Sequence, residues 1–102
     1  MQYAMPGSDD ALYTFKNRYE NYIGGEWLAP LEGKYFENIS PVTGESFCEM
    51  PRSTPADLNK ALDAAHAAAD SWGKTAAAER SNVLLKIADR IEANLETLAY
   101  VE

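Results

Sequence analysis

Hydrophobic and polar positions follow two different rhythms along this chain. In the first half, bulky strand-forming side chains stand in short runs between glycines and prolines, a pattern typical of short β-strands. Gly24-Gly25 predicts a tight hairpin or a bulge, because glycine reaches the positive φ values that such turns need. The runs at 35–39 and 46–50 predict two further strands. Pro51 ends the last one, because proline cannot donate a hydrogen bond to a β-ladder.

The loop between those two strands holds a second turn. Its sequence, Ser40-Pro41-Val42-Thr43-Gly44-Glu45, has proline and glycine where a type I turn that closes on Gly44 needs them. Two hairpins with local turns are therefore predicted for residues 19–51.

After the strands, apolar positions recur at the spacing of an α-helix. A first helix is predicted over residues 54–72, with Thr54 as N-cap and Pro55 at the first helical position. Asp57, three residues after the cap, makes a weak capping box and suits the positive end of the helix dipole. Gly73 is predicted to stop the helix. The apolar face comprises Leu58, Ala61, Leu62, Ala65, Ala69 and Trp72.

A second helix is predicted to begin near Thr75, which can cap it, and Asn94 is expected to break it into two pieces. Its apolar positions make one continuous stripe along the helix. They are Val83, Leu84, Ile87, Ala88, Ile91, Leu95 and Leu98. The whole pattern predicts an α+β fold class, in which N-terminal β-hairpin strands precede two or three helices.

Composition and charge narrow the class of protein. A net charge of −7 argues against a nucleic-acid partner, which needs a basic face. The single cysteine, Cys48, excludes an internal disulfide, and neither a signal peptide nor an apolar run of transmembrane length is visible. These features predict a cytoplasmic protein without a membrane partner. Residues 1–18 hold turn formers without periodicity, and we expect a flexible N-terminal arm there.

Few side chains in this chain could carry chemistry. Cys48 is the only thiol and lies in a strand directly after the second turn, where a structural role is expected. His66, the only histidine, stands among alanines without further ligands or a catalytic partner at matching spacing. Gly24-Gly25 and Gly44 do not match the Gly-x-Gly-x-x-Gly loop that opens a phosphate-binding helix. We therefore expect no catalytic, cofactor-binding or metal-binding residue in this chain.

Three larger side chains leave alternatives open. Arg80 does not face its neighbour Glu79 on a helix, so it either lies on the surface or docks the helix by pairing with a carboxylate on another element. Trp27 and Trp72 are large apolar bodies with one hydrogen-bond donor each. Packing is the more frequent role for such residues, and a partner surface is the alternative.

The order of these motifs resembles the N-terminal part of the NAD(P)-dependent aldehyde dehydrogenases. The resemblance covers most of residues 19–102, and its pieces are weak singly but specific in this order. They are Ile23-Gly24-Gly25-Glu26-Trp27, the 40–45 turn, the alanine-rich helix that ends at Trp72, Glu79-Arg80, and Ile87-Ala88-Asp89-Arg90-Ile91-Glu92. Within the family, bacterial acetaldehyde dehydrogenase-like members look closest.

The resemblance implies what a full-length member would do. It would oxidise an aldehyde to a carboxylic acid with NAD or NADP through a cysteine nucleophile, and it would form a homo-oligomer. Residues 19–102 would be the incomplete N-terminal portion of its Rossmann-like cofactor-binding domain. The family's Gly-Gln-x-Cys stretch and cofactor loop have no match here. The fragment itself is therefore expected to be inactive and to bind no cofactor.

Two alternatives to that interpretation stay open. The chain could be a stand-alone interaction module that binds dehydrogenase subunits. Such a module should melt cooperatively as a discrete monomer or dimer, whereas a fragment should expose its leucine stripe. The chain could also belong to another member of the superfamily, such as a semialdehyde dehydrogenase. Only downstream substrate-pocket residues would separate that member from the first.

Overall fold

The computed structural model describes residues 3–102, which form four β-strands followed by three α-helices. The strands are β1 (Asn21–Ile23), β2 (Glu26–Leu28), β3 (Tyr35–Ile39) and β4 (Ser46–Pro51). The helices are α1 (Pro55–Lys74), α2 (Ala77–Ala93) and α3 (Leu95–Val101). The α+β order predicted from the sequence is therefore confirmed.

The chain divides into two compact units. One comprises Lys16–Trp72, which holds the four strands and most of α1. The other combines the described residues up to Phe15 with Gly73–Glu102, which includes α2 and α3. Burial is concentrated in the first unit, where Cys48 is 5% and Asp57 4% exposed. None of the described helices is long and apolar enough to cross a membrane.

β1 and β2 pair antiparallel across the two-residue loop Gly24-Gly25, with Tyr22 opposite Trp27. Both glycines have positive φ, 62° and 85°, which is the combination that a type I′ turn requires. The predicted tight hairpin is therefore confirmed. A Cβ atom on Gly24 would lie 3.8 Å from the Cβ of Ala64, so the turn packs closely on α1.

β3 and β4 form the second antiparallel pair, in which the register shifts at a bulge between Asn38 and Ile39. The Gly44 N–H donates to the Ser40 carbonyl over 2.8 Å, and Gly44 has a φ of 74°. The loop thus closes on Gly44 as predicted. Its closing hydrogen bond spans five residues, where a type I turn spans four. The wider loop accompanies the bulge, which adds one residue to one side of the ladder.

The chain just before β1 is hydrogen-bonded to β4. The Tyr19 N–H donates to the Glu49 carbonyl over 3.0 Å, and the Glu49 N–H donates to the Asn17 carbonyl over 2.8 Å. These bonds make a short parallel bridge centred on Arg18. The end of the 1–18 arm is therefore tied to a strand. Flexibility of the remainder stays a prediction, and the first two residues of the arm lie outside the described residues.

α1 begins at Pro55, directly behind the predicted cap Thr54, and runs two residues past its predicted end. Gly73 lies inside the helix, so its predicted role as the stop was wrong. A glycine stops a helix by adopting positive φ, and Gly73 is not among the glycines that do so. The backbone therefore continues in helical conformation to Lys74.

Fewer residues of α1 are buried than its apolar pattern predicts. Asp57 is buried, and Ala61 and Ala64 are half-buried; successive members are about one helical turn apart. Leu58 and Leu62, in the predicted apolar face, are 60% and 47% exposed. Small side chains therefore permit the close approach of the hairpin turn, while the larger leucines stay uncovered.

α2 begins at Ala77 and has Ala76 as its N-cap, without a side-chain cap hydrogen bond. The predicted cap at Thr75 was therefore wrong, because the chain stays extended for one residue more. Arg80 Nη1 donates to the Gly73 carbonyl over 3.2 Å. Arg80 thus contacts a main-chain oxygen near the end of α1, where we considered a carboxylate partner.

Asn94 divides the C-terminal helical stretch, as predicted. Its side-chain amide donates to the Arg90 carbonyl over 2.8 Å, and α3 begins at the next residue. In the same unit, the Tyr100 hydroxyl donates to the Ala4 carbonyl over 2.6 Å, and its ring meets that of Tyr3 edge-on at 5.7 Å. The N-terminal residues of this unit therefore lie against α3.

Candidate functional site

The only thiol of the chain is enclosed in a strand. Cys48 is 5% exposed and its Sγ lies 4.0 Å from the sulfur of Met50. A nucleophilic thiol must meet its substrate and usually sits in an electropositive, partly exposed setting. Cys48 is covered, and its neighbour in β4 is Glu49. This geometry gives an aldehyde no approach to the sulfur.

His66 lies exposed on α1. Within residues 3–102, no group of three or more histidine, cysteine, aspartate or glutamate side chains is placed to hold a metal ion. The glycines at Gly24-Gly25 and Gly44 shape hairpin loops between strands. A phosphate loop instead leads from a strand into a helix N-terminus. Within the described part of the chain, His66 and these glycines therefore do not form a common site.

Packing was the favoured role of the two tryptophans, and both are exposed in the described chain. Trp27 is 68% exposed, and its ring contacts that of Tyr22 at a centroid distance of 4.9 Å. Trp72 is 49% exposed at the end of α1. Neither tryptophan is therefore a buried residue of the described chain.

Asp57 is a buried carboxylate, 4% exposed, with three hydrogen bonds to its side chain. Its Oδ1 accepts the Leu31 N–H over 2.9 Å, and its Oδ2 accepts the Thr54 N–H over 2.9 Å. The Thr54 hydroxyl also donates to Oδ2, over 3.3 Å. Main-chain donation by Thr54 and Leu31 lowers the pKa of the Asp57 carboxyl, although burial opposes the shift. These contacts, which we call the Asp57 latch, tie the loop after β2 to the start of α1.

Sequence reasoning found one half of the Asp57 latch. The spacing of Thr54 and Asp57 indicated a capping box, and the Thr54 N–H contact is part of that motif. The contact with Leu31 crosses 26 positions of sequence. No local spacing signals such a contact, so the burial of this carboxylate could not be predicted from the sequence.

A second polar cluster surrounds Arg18 on the same unit. Its guanidinium donates to Glu49 Oε2 over 2.6 and 2.8 Å and lies 3.9 Å from the centroid of the Tyr35 ring. The Tyr35 hydroxyl donates to Glu20 over 2.7 Å, which raises the pKa of Tyr35. Arg18 and Glu49 side chains are 51% and 41% exposed. The cluster is therefore a surface network of charged and aromatic side chains.

An apolar groove runs along α2 and α3 in the second unit. It encloses about 460 Å³ and is lined almost entirely by carbon atoms. The α2–α3 groove is lined by Val83, Lys86, Ile87, Arg90, Ile91, Asn94 and Leu98. Ile87 and Ile91 are each 50% exposed, and Leu98 is 44% exposed. Such a surface is suited to packing against another apolar surface, and it carries no arrangement of acid, base and nucleophile.

Comparison with known proteins decides the family. The sequence profile described as "Aldehyde dehydrogenase family" matches residues 27–102, about three quarters of the chain. This chain belongs to the aldehyde dehydrogenase family. It is 64% identical to an acetaldehyde dehydrogenase of Pseudomonas aeruginosa over 102 residues, all of this chain and 20% of the relative. It is 59% identical to an aldehyde dehydrogenase of Rhodospirillum rubrum over the same extent.

Solved structures of the family agree with the fold. A succinate-semialdehyde dehydrogenase from Burkholderia pseudomallei superposes with a TM-score of 0.76 at 39% identity, over 80% of this chain and 17% of that one. An NAD-dependent aldehyde dehydrogenase from Sinorhizobium meliloti gives 0.76 at 33% identity, over 95% and 20%. The chain therefore spans about a fifth of the length of its aldehyde dehydrogenase relatives.

Proposed function

We propose that this chain is the N-terminal part of an NAD(P)-dependent aldehyde dehydrogenase that oxidises an aldehyde to a carboxylic acid. The observation that carries the proposal is the 64% identity with an acetaldehyde dehydrogenase along all 102 residues. The covered position of Cys48 is in accord with a reaction whose nucleophile lies elsewhere in the polypeptide. In this proposal, the chain contributes structure to the enzyme and no reacting group.

The cofactor of the complete enzyme is proposed to be NAD or NADP, bound in a Rossmann-like domain to which residues 19–102 contribute. Support comes from the structural neighbour from Sinorhizobium meliloti, which is named as NAD-dependent. The glycine turns at Gly24-Gly25 and Gly44 connect strands and do not lead into helices. We therefore expect this chain by itself to bind no cofactor. The complete enzyme is proposed to be a cytoplasmic homo-oligomer.

Two aldehyde classes fit the relatives. Acetaldehyde is favoured as the substrate because 64% of the residues of this chain are identical in the relative with that name. A dicarboxylic semialdehyde is the second candidate, because a succinate-semialdehyde dehydrogenase shares the fold at 39% identity. The higher identity supports acetaldehyde as the first candidate.

The test is NADH formation, measured with the 102-residue chain and with a complete polypeptide that contains it. The complete polypeptide should reduce NAD or NADP with acetaldehyde, faster than with succinate semialdehyde. The chain alone should form no NADH with either aldehyde. Turnover by the chain alone would contradict its role as a structural part, and a folded but inactive complete polypeptide would contradict the enzyme assignment.

The alternative of a stand-alone interaction module is tested in the same preparation. If the chain is a finished module, it should melt cooperatively as a discrete monomer or dimer. If it is a part of the enzyme, its exposed apolar side chains should make it associate or melt over a broad range. Light scattering together with a melting curve separates the two outcomes.

A further inference from the structure

Two tyrosine rings meet where the first described residues lie against α3. The ring centroids of Tyr3 and Tyr100 are 5.7 Å apart, and the ring planes make an angle of 63°. Edge-to-face contacts of this kind are favourable beyond the area that they bury. Both hydroxyls are held as well: Tyr3 donates to Glu96 Oε1 over 3.1 Å, and Tyr100 donates to the Ala4 carbonyl over 2.6 Å. Each hydroxyl thus binds the opposite segment and keeps the two phenols side by side.

The contact is covered on one side and open on the other. Ala4 and Tyr100 are half-buried, whereas residues 5–10 and most of α3 are exposed. Tyr3 itself is 45% exposed. A small reagent in solution therefore reaches the ring of Tyr3 while the hydrogen bonds hold that ring against its partner.

The Glu96 carboxylate is placed to accept the hydroxyl proton of Tyr3. The hydrogen bond from Tyr3 to this carboxylate raises the pKa of Tyr3, so the phenol is protonated at neutral pH. A protonated phenol gives up an electron more easily when a base within hydrogen-bond reach takes the proton. Glu96 supplies such a base at a distance of 3.1 Å.

Other tyrosines of the chain lie in different surroundings. The Tyr35 hydroxyl also donates to a carboxylate, that of Glu20. The Arg18 guanidinium lies 3.9 Å from the centroid of the Tyr35 ring, and a positive charge there opposes the loss of an electron. The ring of Tyr22 contacts that of Trp27. Tyr3 therefore combines solvent access and a proton acceptor with a second phenol beside it.

We propose that Tyr3 and Tyr100 form an oxidative cross-linking site, at which a small one-electron oxidant joins the two rings as dityrosine. Each phenol loses one electron to a molecule of oxidant and loses its hydroxyl proton, which passes to Glu96 from Tyr3 and to water from Tyr100. The two phenoxyl radicals couple through a new bond between one Cε atom of each ring. The hydrogen on each of these carbons then moves as a proton to the oxygen of its own ring, which restores two phenols.

The cross-link would fasten the first described residues to α3. Proximity favours the reaction, because the two rings are already held together before the radicals form. The new bond would close nearly the whole described chain into one loop and would restrict the unfolded chain, as a disulfide does. The site is separate from the aldehyde chemistry proposed above, since none of its groups is assigned a part in that reaction.

The test exposes the 102-residue chain at low concentration to a ruthenium(III) tris-bipyridine complex generated by light. Peptide mapping by mass spectrometry should find, as the main dityrosine, the peptides of Tyr3 and Tyr100 joined with the loss of two hydrogen atoms. In a mixture with isotope-labelled chain, this product should lie within one chain. In urea, which separates the two rings, the preference for this pair should disappear. A different main pair, a cross-link between chains, or the same pattern in urea overturns the proposal.

Two glutamate variants test the proton transfer. Glu96→Gln keeps an oxygen that accepts the Tyr3 hydroxyl but removes the basic carboxylate. The initial rate of dityrosine formation should fall roughly tenfold, less than for an enclosed base, because water replaces the carboxylate at this exposed site. Glu20→Gln is the matched control, since Glu20 accepts the hydroxyl of Tyr35 in the same way, and it should leave the rate unchanged. Equal rates in the two variants overturn the assignment of Glu96.

Two tyrosine variants test the pairing. Tyr100→Phe keeps the ring but removes the second phenol, so dityrosine at Tyr3 should be lost. Tyr22→Phe is the control, because the Tyr22 ring contacts Trp27 and lies outside the proposed site, and it should keep the cross-link. Circular dichroism checks that both variants retain the helices. Dityrosine that persists at Tyr3 in Tyr100→Phe would show that Tyr3 couples without a fixed partner, and this result overturns the proposal.

Discussion

The unit Lys16–Trp72 and the helices α2 and α3 differ in how their hydrogen-bonding groups are paired and how their apolar side chains are covered. In the first unit, the Asp57 latch and the two hairpins pair polar side-chain and main-chain groups through hydrogen bonds. In the helices, the main chain is satisfied by helical hydrogen bonds, but the apolar side chains are not covered. The difference teaches that secondary structure and burial are separate problems, because a helix closes its own hydrogen bonds and cannot cover its own side chains.

Burial of the exposed apolar side chains of α2 and α3 would contribute a substantial free energy of stabilisation. Full burial of one leucine or isoleucine side chain stabilises a protein by about 1.5–3 kcal/mol. Five such residues are at least 44% exposed along the stripe that we predicted from the sequence. They are Leu84, Ile87, Ile91, Leu95 and Leu98. Packing by a partner surface would therefore stabilise this region substantially.

Removal of the Asp57 latch tests most directly whether polar contacts hold the first unit together. Asp57→Ala should cause the largest loss of thermal stability among the variants of this chain, because the N–H groups of Leu31 and Thr54 lose their acceptor while partly buried. Asp63→Ala, on an exposed position of the same helix, is the control. Circular dichroism melting measures both. Equal melting temperatures would show that the latch does not hold this unit together.

The pH dependence tests the same latch without removing it. The folded pKa of Asp57 lies below its ordinary value of 3.8, so the folded chain binds fewer protons there than the unfolded chain. The stabilisation should be fully present above that value and should be lost as the pH falls through the folded pKa. The melting difference between the unmodified chain and Asp57→Asn should therefore shrink below about pH 3.8. A difference that is constant with pH would contradict the assignment.

The hairpin turn gives the next largest effect. Gly25→Val puts a β-branched residue at a φ of 85°, and the backbone strain should cost about 1–3 kcal/mol. Gly73→Ala is the opposite control, because Gly73 lies inside α1 with open space around it. That substitution should stabilise the chain by about 0.5–1 kcal/mol. Urea unfolding measures both, and two changes of the same sign would contradict the assigned backbone geometry.

The Arg18 cluster should give the smallest effect. Its ion pair is about half exposed, and exposed pairs contribute little because water and salt screen them. Arg18→Ala should lower the melting temperature slightly at low salt and not at high salt. Lys34→Ala, from the more exposed pair with Glu32, is the control and should change nothing measurable. A salt-independent loss for Arg18→Ala would instead indicate that packing on Tyr35 dominates.

Local elements of the fold were predictable because their signals lie within a few residues. Such signals predicted four features that the structure contains. They are the hairpin at Gly24-Gly25, the strand Tyr35–Ile39, the cap at Thr54 and the break at Asn94. The errors were also local in kind. Gly73 was expected to stop α1, but glycine permits an end without imposing one.

The candidate surfaces were only partly predictable. The apolar stripe of α2 and α3 could be read from helical spacing, but that it stays exposed depends on what other chain segments lie against it. The predicted apolar face of α1 has the same limit, since Leu58 is exposed while Ala64 lies beside Gly24. Spacing defines a face of a helix and does not define its partner.

By itself, the sequence determined the turns, the helices, the order of the elements and the resemblance to the aldehyde dehydrogenases. These depend on backbone preferences and hydrogen bonds between near neighbours, which act in any context. Only the tertiary structure decided that Asp57 binds Leu31, that Cys48 is enclosed and that Ile87 and Ile91 line an open groove. Those properties depend on which parts of the folded chain lie against one another, and no spacing rule encodes that.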